Sequence, residues 1–409
     1  MSNGEQAFRR PRIVDFSTHL SGPTASQLLT QMGADVIKVE NARIGDGNRG
    51  MGPYIDGNGL LHVALNGGTR SLAIDRHSPN WDRVIAACAR WADAVLVGTR
   101  PADARRRGLD FATMVRANPK LVYCSISGFG DAGPWRDFTA HGQTIDAFAG
   151  LVKLEKDGGG PRTLQGWRST ATTLGGVFAA LGVYAALYNR DHGVDHAQYV
   201  SISLWGVGMW WSWRDSTMLA NTGERWTEYT ELGARYNLYA TADDRVVLVA
   251  PSERKFWESF CDTLQLPEEF RAHGDWTASG MDHGEGPEYE EERKAIAERI
   301  AARPLAEWVK VFGGLQIPFA PLLTIEEALA SEHALANGVM RTAMAGTTEV
   351  KVPATPVRMA PNDEPPSQQM PSVGSLPDLG ANTDEVLAEL GLGELSAADL
   401  RATPEASPA

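Results

Sequence analysis

Thiol, metal and dinucleotide chemistry each demand particular residue types at particular spacings. The cysteines, Cys88, Cys124 and Cys261, sit in apolar stretches with no CxxC pair and no nearby His or Cys at ligand spacing. They read as buried, reduced thiols, and no metal site is expected. The turn after the first apolar run lacks the GxGxxG that brings backbone amides against a pyrophosphate, which sets NAD and FAD aside. Trp205, Trp210, Trp211 and Trp213 crowd one segment. Indoles at that density pack a core or interface, or line an apolar ligand pocket.

The elements that must position a site come from periodicity. Short apolar runs at 12–16, 35–40, 71–75, 93–97 and 121–127 alternate with helix-period segments around 23–32, 81–91 and 102–117, the pattern of parallel strands joined by crossover helices. Pro23 sits early in the first helix and Gly33 ends it. The run 174–188 is the longest apolar stretch, short of the roughly twenty residues that span a bilayer, and reads as a helix buried in the protein. A strand at 197–204 follows it. From about Tyr229 the texture changes to a hairpin at 237–241 and 246–250 around Asp243 and Asp244, then charged amphipathic helices to about Gly314. The stretch 351–378, rich in Pro and Ser, reads as an extended arm leading to a helix over 383–392.

A chain of 409 residues with 43% hydrophobic and 22% charged content has the composition of a globular protein with a sizeable core. Its net charge of −13 argues against broad attraction to nucleic acid or to an anionic membrane, so an anionic ligand must be met by local cations. Residues 1–12 are polar with no signal-peptide core, and a cytoplasmic location is expected.

Several phrases, in one order along nearly the whole chain, resemble CoA-transferase family III, the CaiB/BaiF type that includes formyl-CoA transferase and the α-methylacyl-CoA racemases. They are Val14-Asp15-Phe16 through Gly22-Pro23, GADVIKVE at 33–40, Gly45-Asp46 with Arg49, Leu65-Asn66 to Arg70-Ser71-Leu72, SGFGDAGP at 127–134, Ile317-Pro318 to Pro321, Glu332-His333 and LGANTDEVLAELG at 379–391. The resemblance implies an α/β fold, with a Rossmann-like large domain built from both chain ends, an inserted small domain and an interlocked dimer. The expected boundaries are 1–225 for the first part of the large domain, 226–325 for the small domain and 326–402 for the return, with a disordered tail at 403–409.

The resemblance also implies a coenzyme A thioester as substrate or ligand and no tightly bound cofactor. Three phosphates call for arginines, and His19, Arg43, Arg70, Arg100 and Arg106 fall at or near the family's CoA contacts, Arg106 being chosen from the run Arg105 to Arg107. The family's Asn-Phe before that helix is replaced by Gly98-Thr99. In the transferases an aspartate attacks the thioester and carries the acyl group as an anhydride. In GWRSTATTLGGVFAAL that position holds Thr172, which is not expected to act as a nucleophile, and 166–190 contains no carboxylate. His141, in AHGQTIDAFAG, and Glu253, in APSERKFW, fall on the racemase acid/base histidine and glutamate, and an imidazole near neutrality can remove a proton acidified by a thioester. The expected activity is CoA transfer between a thioester and a carboxylate by a non-standard or partner-dependent route. The alternatives are α-proton exchange on a 2-substituted acyl-CoA through His141 and Glu253, or a non-catalytic subunit of a heteromeric transferase. The protein would act as a homodimer, or as a heteromer with a family member that bears the aspartate.

Overall fold

Runs of Val, Ile, Leu and Ala with few polar interruptions form strands that are covered on both sides. The computed structural model describes residues 9–157, 160–163, 168–225, 233–276, 280–358 and 373–401. The expected tail at 403–409 and half of the expected arm, 359–372, lie outside the described residues. The chain divides into two compact units, Met1–Trp213 with Ala336–Ala409, and Arg214–Leu335.

In the first unit the strands are β1 (Arg12–Asp15), β2 (Asp35–Asn41), β3 (Arg70–Ile74), β4 (Ala94–Val97), β5 (Val122–Ser127) and β6 (Gln198–Ser203). They form one sheet in the order β6-β5-β4-β1-β2-β3, with every neighbouring pair parallel. The order reverses direction between β1 and β4, which opens a crevice beyond the carboxyl ends of those two strands. The principal helices are α1 (Ser21–Gln31), α2 (Leu60–Asn66), α3 (Trp81–Trp91), α4 (Pro101–Arg106), α5 (Phe111–Ala117), α6 (Gln143–Phe148), α7 (Thr170–Asp191) and α8 (Leu204–Trp211). One core packs α3 and α5 with Val14, Val39 and Leu72, and the other packs α1, α7 and α8 with Ile13, Cys124 and Ile126.

The single helix expected over 102–117 is two. Gly108 adopts φ +67° at the break, and the Asp110 side chain accepts from Thr113 N at 3.2 Å to start α5, so a positive-φ glycine and an N-cap divide what periodicity alone joins. The arm expected from residue 351 begins instead inside a hairpin, β10 (Met340–Ala345) with β11 (Thr348–Pro353), and β10 also pairs with β12 (Ser375–Leu376). Beyond it the Thr383–Glu389 helix docks on β3. Asn382 Oδ1 accepts from Ser71 N, and Thr383 Oγ1 accepts from Ala73 N. Returning chain thereby covers a sheet edge that would otherwise be open to pairing.

The second unit holds an antiparallel sheet of β7 (Asn237–Ala240), β8 (Val246–Val249) and β9 (Phe319–Pro321), with Asp244 at φ +56° in the turn between the first two. Its core is aromatic, built on Trp257, Phe260, Trp308 and Phe312.

Helix α7 is longer than the run that announced it, at 22 residues. By length and composition it could cross a bilayer, with a mean hydropathy of 1.5 in its most apolar window, yet half of that window is buried within the protein. Small residues explain how. A Cβ on Gly176 would lie 2.4 Å from Ser21 O and 2.5 Å from Thr24 Cβ, so α7 rests directly on the backbone of α1. Gly176→Val should therefore cost about 1–3 kcal/mol or more through overpacking. Gly313→Ala, at an exposed position of the Leu305–Leu315 helix with nothing within 4 Å of the added methyl, should gain up to about 1 kcal/mol from helix propensity. Guanidinium unfolding midpoints check both.

Candidate active site

The residues at the carboxyl end of β1 are set by a buried ion cluster. Lys38, on β2 and only 1% exposed, directs its ammonium at Asp15 Oδ2 (3.1 Å), Asp46 Oδ2 (3.0 Å) and the Ser17 carbonyl (3.0 Å). Burial alone would lower the lysine's pKa, but the carboxylates of Asp15, Asp46 and Glu40 outweigh it and raise it above the ordinary value. Asp15 also accepts from Ser17 N (2.7 Å) and Ser26 Oγ (2.8 Å). Beside it, Glu40 takes both arms of Arg49 (2.8 and 2.7 Å) and the Ser71 hydroxyl (2.7 Å). Burial works against its charge, yet Arg49 holds the carboxyl down at about 2.

This cluster carries His19. Asp46 Oδ1 accepts from His19 N at 3.0 Å, and Asn48 donates its side-chain amide to the His19 carbonyl. The residue is thereby held at φ +67°, a region costly for a side chain with a Cβ. Its ring packs against Gly47, where a Cβ would come within 2.6 Å of Cε1. On the neighbouring strand Gly98 meets the same loop, since a Cβ there would lie 2.4 Å from Ser17 Cβ. Close approach therefore accounts for glycine at that position.

His141 reaches the same place from the loop before α6. Its backbone is fixed by Thr144, whose hydroxyl accepts from His141 N (2.8 Å) and donates to His141 O (2.9 Å). The His19 and His141 rings meet edge to face, with centroids 5.7 Å apart and planes at 84°, and both residues are exposed. Thr172, in the first turn of α7, is 6% exposed and donates its hydroxyl to the carbonyl of Gly142, the residue after His141, at 3.3 Å.

One carboxylate missing from the sequence reading lies at this helix start. Asp146, on α6 and 1% exposed, accepts from Thr170 N and Ala171 N at 2.8 Å each. It satisfies two of the free donors of α7 and favours the positive end of the helix dipole. Buried and doubly bonded, it serves as a cap from outside the helix. A search confined to 166–190 could not find it; the available signal was an acid 24 residues upstream in a short amphipathic segment.

The arginines divide. Arg70 is held by Asp35 (2.8 Å), Glu385 (3.0 Å) and Glu389 (2.6 Å) at the amino end of β3, where it clamps the C-terminal helix to the sheet rather than facing the crevice. Arg43 is 65% exposed, with Asp75 at 3.5 Å. Arg100 follows β4, bonding Asp103 at 2.7 Å and, from its other arm, Asp137 O and Thr139 Oγ1. Arg106 is 73% exposed and pairs with the same Asp103. Burial opposes it, but Arg100 and Arg106 hold the Asp103 carboxyl below its usual range. Arg43 and Arg106 are thus the cations most open to an anionic ligand.

Aromatic side chains gather beside His141: Phe129 meets Trp135, Phe138 and Phe148, and Trp205 packs edge to face on Trp135. Periodicity gave no sign of this cluster, which joins a loop to α6 and α8. A cavity of about 380 Å³ between α3 and α5, lined by Ile85, Ala89, Met114 and Ala117, is not lined by any of these site residues. All three cysteines are buried, and burial pushes each thiol up to about 12.

Glu253 lies in the second unit, at the N-cap of the Arg254–Leu264 helix, with Lys255 Nζ 3.0 Å from its carboxylate. Its backbone bridges to Met281, and Asp282 N donates to Ser252 O. That loop is held in turn by Arg235, fully buried between Glu292 (2.8 Å) and Asp282 (3.3 Å) and 4.2 Å above the Trp257 ring.

Residues 11–375 match the family model described as CoA-transferase family III. The chain is 25% identical over 379 residues to the acetyl-CoA:oxalate CoA-transferase of Acetobacter aceti, covering 90% of this chain and 92% of that one. It is 26% identical to the human alpha-methylacyl-CoA racemase (93% and 92% covered), and 24% identical to the succinyl-CoA–L-malate CoA-transferase beta subunit of Chloroflexus aurantiacus (95% and 96%). A CAIB/BAIF family protein from Brucella suis has the same fold, with a TM-score of 0.72 over 93% of this chain and 98% of that one at 22% identity.

Two measurements probe the site's foundations. Lys38→Met leaves two buried carboxylates uncompensated and should cost about 3–5 kcal/mol, read from urea unfolding at pH 7. His62, on α2, is fully buried with neither ring nitrogen bonded in the structure, and burial followed by the Arg49 charge lowers its pKa from 6.5 to about 4. The unfolded chain takes up this proton near 6.5 and the folded chain only near 4, so stability is lost as pH falls through that window. His62→Leu should flatten the fall between those two values, and an unchanged slope would remove His62 as its source.

Proposed function

Because the chain belongs to CoA-transferase family III, we propose that it binds an acyl-CoA thioester at the carboxyl end of β1 and β4 and exchanges a proton at the α-carbon through His141. The observation that carries this reading is Thr172, a buried hydroxyl bonded to a backbone carbonyl, at the position that the resemblance of 166–181 to the transferases gives to their carboxylate. An ester of threonine would lack the reactivity of an acyl anhydride toward thiolate, so the aspartyl route is closed to this chain acting alone. An exposed imidazole remains beside it. His141 takes the α-proton, the C–H electron pair moves onto the thioester carbonyl as an enolate, and a proton returns to carbon from the imidazolium. Arg43, Arg100 and Arg106 supply cations for the phosphates, and the aromatic cluster around Phe129 supports an apolar acyl group. The exposed apolar residues Leu181, Tyr188, Trp210 and Trp211 on α7 and α8 support a second copy of the chain against those helices.

A second reading is a subunit of a heteromeric CoA-transferase, favoured by the likeness to a protein named as a beta subunit. One experiment separates the two. The purified protein is incubated in deuterated buffer with a panel of acyl-CoA thioesters and free carboxylates, and both α-deuterium and CoA transfer are followed by mass spectrometry. The expected result is deuterium uptake without transfer, reduced about 100-fold or more in His141→Ala. CoA transfer by the protein alone would sink the proton-exchange reading. Binding of CoA with neither reaction would put the subunit reading in its place.

A further inference from the structure

We propose that His19 is the positioning partner of His141, taking with a ring the place that an anionic side chain takes in a His–Asp acid/base unit. The inference rests on the proton-exchange reading. Its grounds are geometric. Thr172 cannot hold a charged imidazole, and its hydroxyl is engaged with Gly142. The group that does meet the His141 ring is His19, edge to face at 5.7 Å.

This contact is built rather than incidental. His19 is a non-glycine residue at φ +67°, and its conformation is fixed by bonds to both its N–H and its carbonyl. Those bonds come from Asp46 and Asn48, and Asp46 is anchored by buried Lys38. A glycine at 47 clears the surface on which the ring rests. Exposed loops rarely spend a buried ion cluster and a strained backbone on a side chain of no consequence. Charged groups close to the pair are Asp46, which accepts from His19 N and pairs with Lys38, and Arg100, which donates to the Thr139 hydroxyl two residues before His141.

A ring partner acts differently from a carboxylate. Edge-to-face packing favours one mutual arrangement of two rings, so His19 steadies the His141 ring in the orientation from which it takes the α-proton. It brings no carboxylate to the pair. It also sets the orientation of the His141 ring, which Thr144 fixes only at the backbone. The C–H bond still breaks at His141, and no proton need reside on His19.

The test uses full-length protein and the thioester that exchanges fastest. His19→Asn removes the ring while keeping a residue that accepts positive φ. Its turnover for deuterium uptake should fall about tenfold or more with KM changed less than about twofold, the signature of an interaction made in the transition state. His19→Phe, which restores a ring face, should recover part of the rate. The double variant His19→Asn/His141→Ala should be no slower than His141→Ala, because the two act as a unit. In protein labelled with ¹³C-histidine, the His141 Cε1–H resonance should be displaced by loss of the neighbouring ring in His19→Asn, and less so in His19→Phe. A raised KM at unchanged turnover would make His19 a wall of the binding site and overturn the proposal. Full turnover in His19→Asn, or additive effects in the double variant, would do the same while leaving exchange by His141 intact. Absence of exchange in the unaltered protein would instead defeat the underlying reading.

Discussion

One buried ammonium holds the centre of the first unit together. Lys38 lies between Asp15, at the end of one strand, and Asp46, in the loop after the next, each of them 1% exposed or less. A lone buried ion would be ruinous, and three that compensate one another are tolerable only in one geometry. Two strands and a loop are therefore locked in register by electrostatics, and the loop so fixed carries His19. Precision at the crevice begins one layer below the surface.

The start of α7 follows the same logic. Its free N–H groups are met by Asp146 from a different helix, so the loop bearing His141 and the turn bearing Thr172 cannot move independently. The acid at this helix start, Asp146, serves as its cap from α6.

Alternation of strands and helices, and the phrases at 33–40 and 127–134, made the parallel sheet and the family legible, because both depend on local pattern. The division at Gly108 was not, since a positive φ leaves the helical period of the flanking residues untouched. The C-terminal hairpin over 340–353 was missed because its strands are short and half exposed. Arg70 looked like a phosphate ligand by position and proved to be bound to three carboxylates, two of them more than 300 residues away. Asp146 and the pairing of the two histidines were unreadable for the same reason: contacts across the fold carry no signature in local sequence. His141 and Glu253 fall on separate units, and only the backbone loop that holds each is fixed by its own surroundings.

The docking of the Thr383–Glu389 helix on β3 bears on how the protein is made. Ser71 and Ala73 wait for Asn382 and Thr383, and Arg70 waits for Glu385 and Glu389. On a ribosome these partners emerge only after the whole of the second unit, at residues 214–335, has left the exit tunnel. At about 5–20 residues per second, the edge of the sheet stays uncovered for tens of seconds while the inserted unit can already fold. The nascent first unit is therefore the species that chaperones would meet, and its bare edge the surface that they would shield.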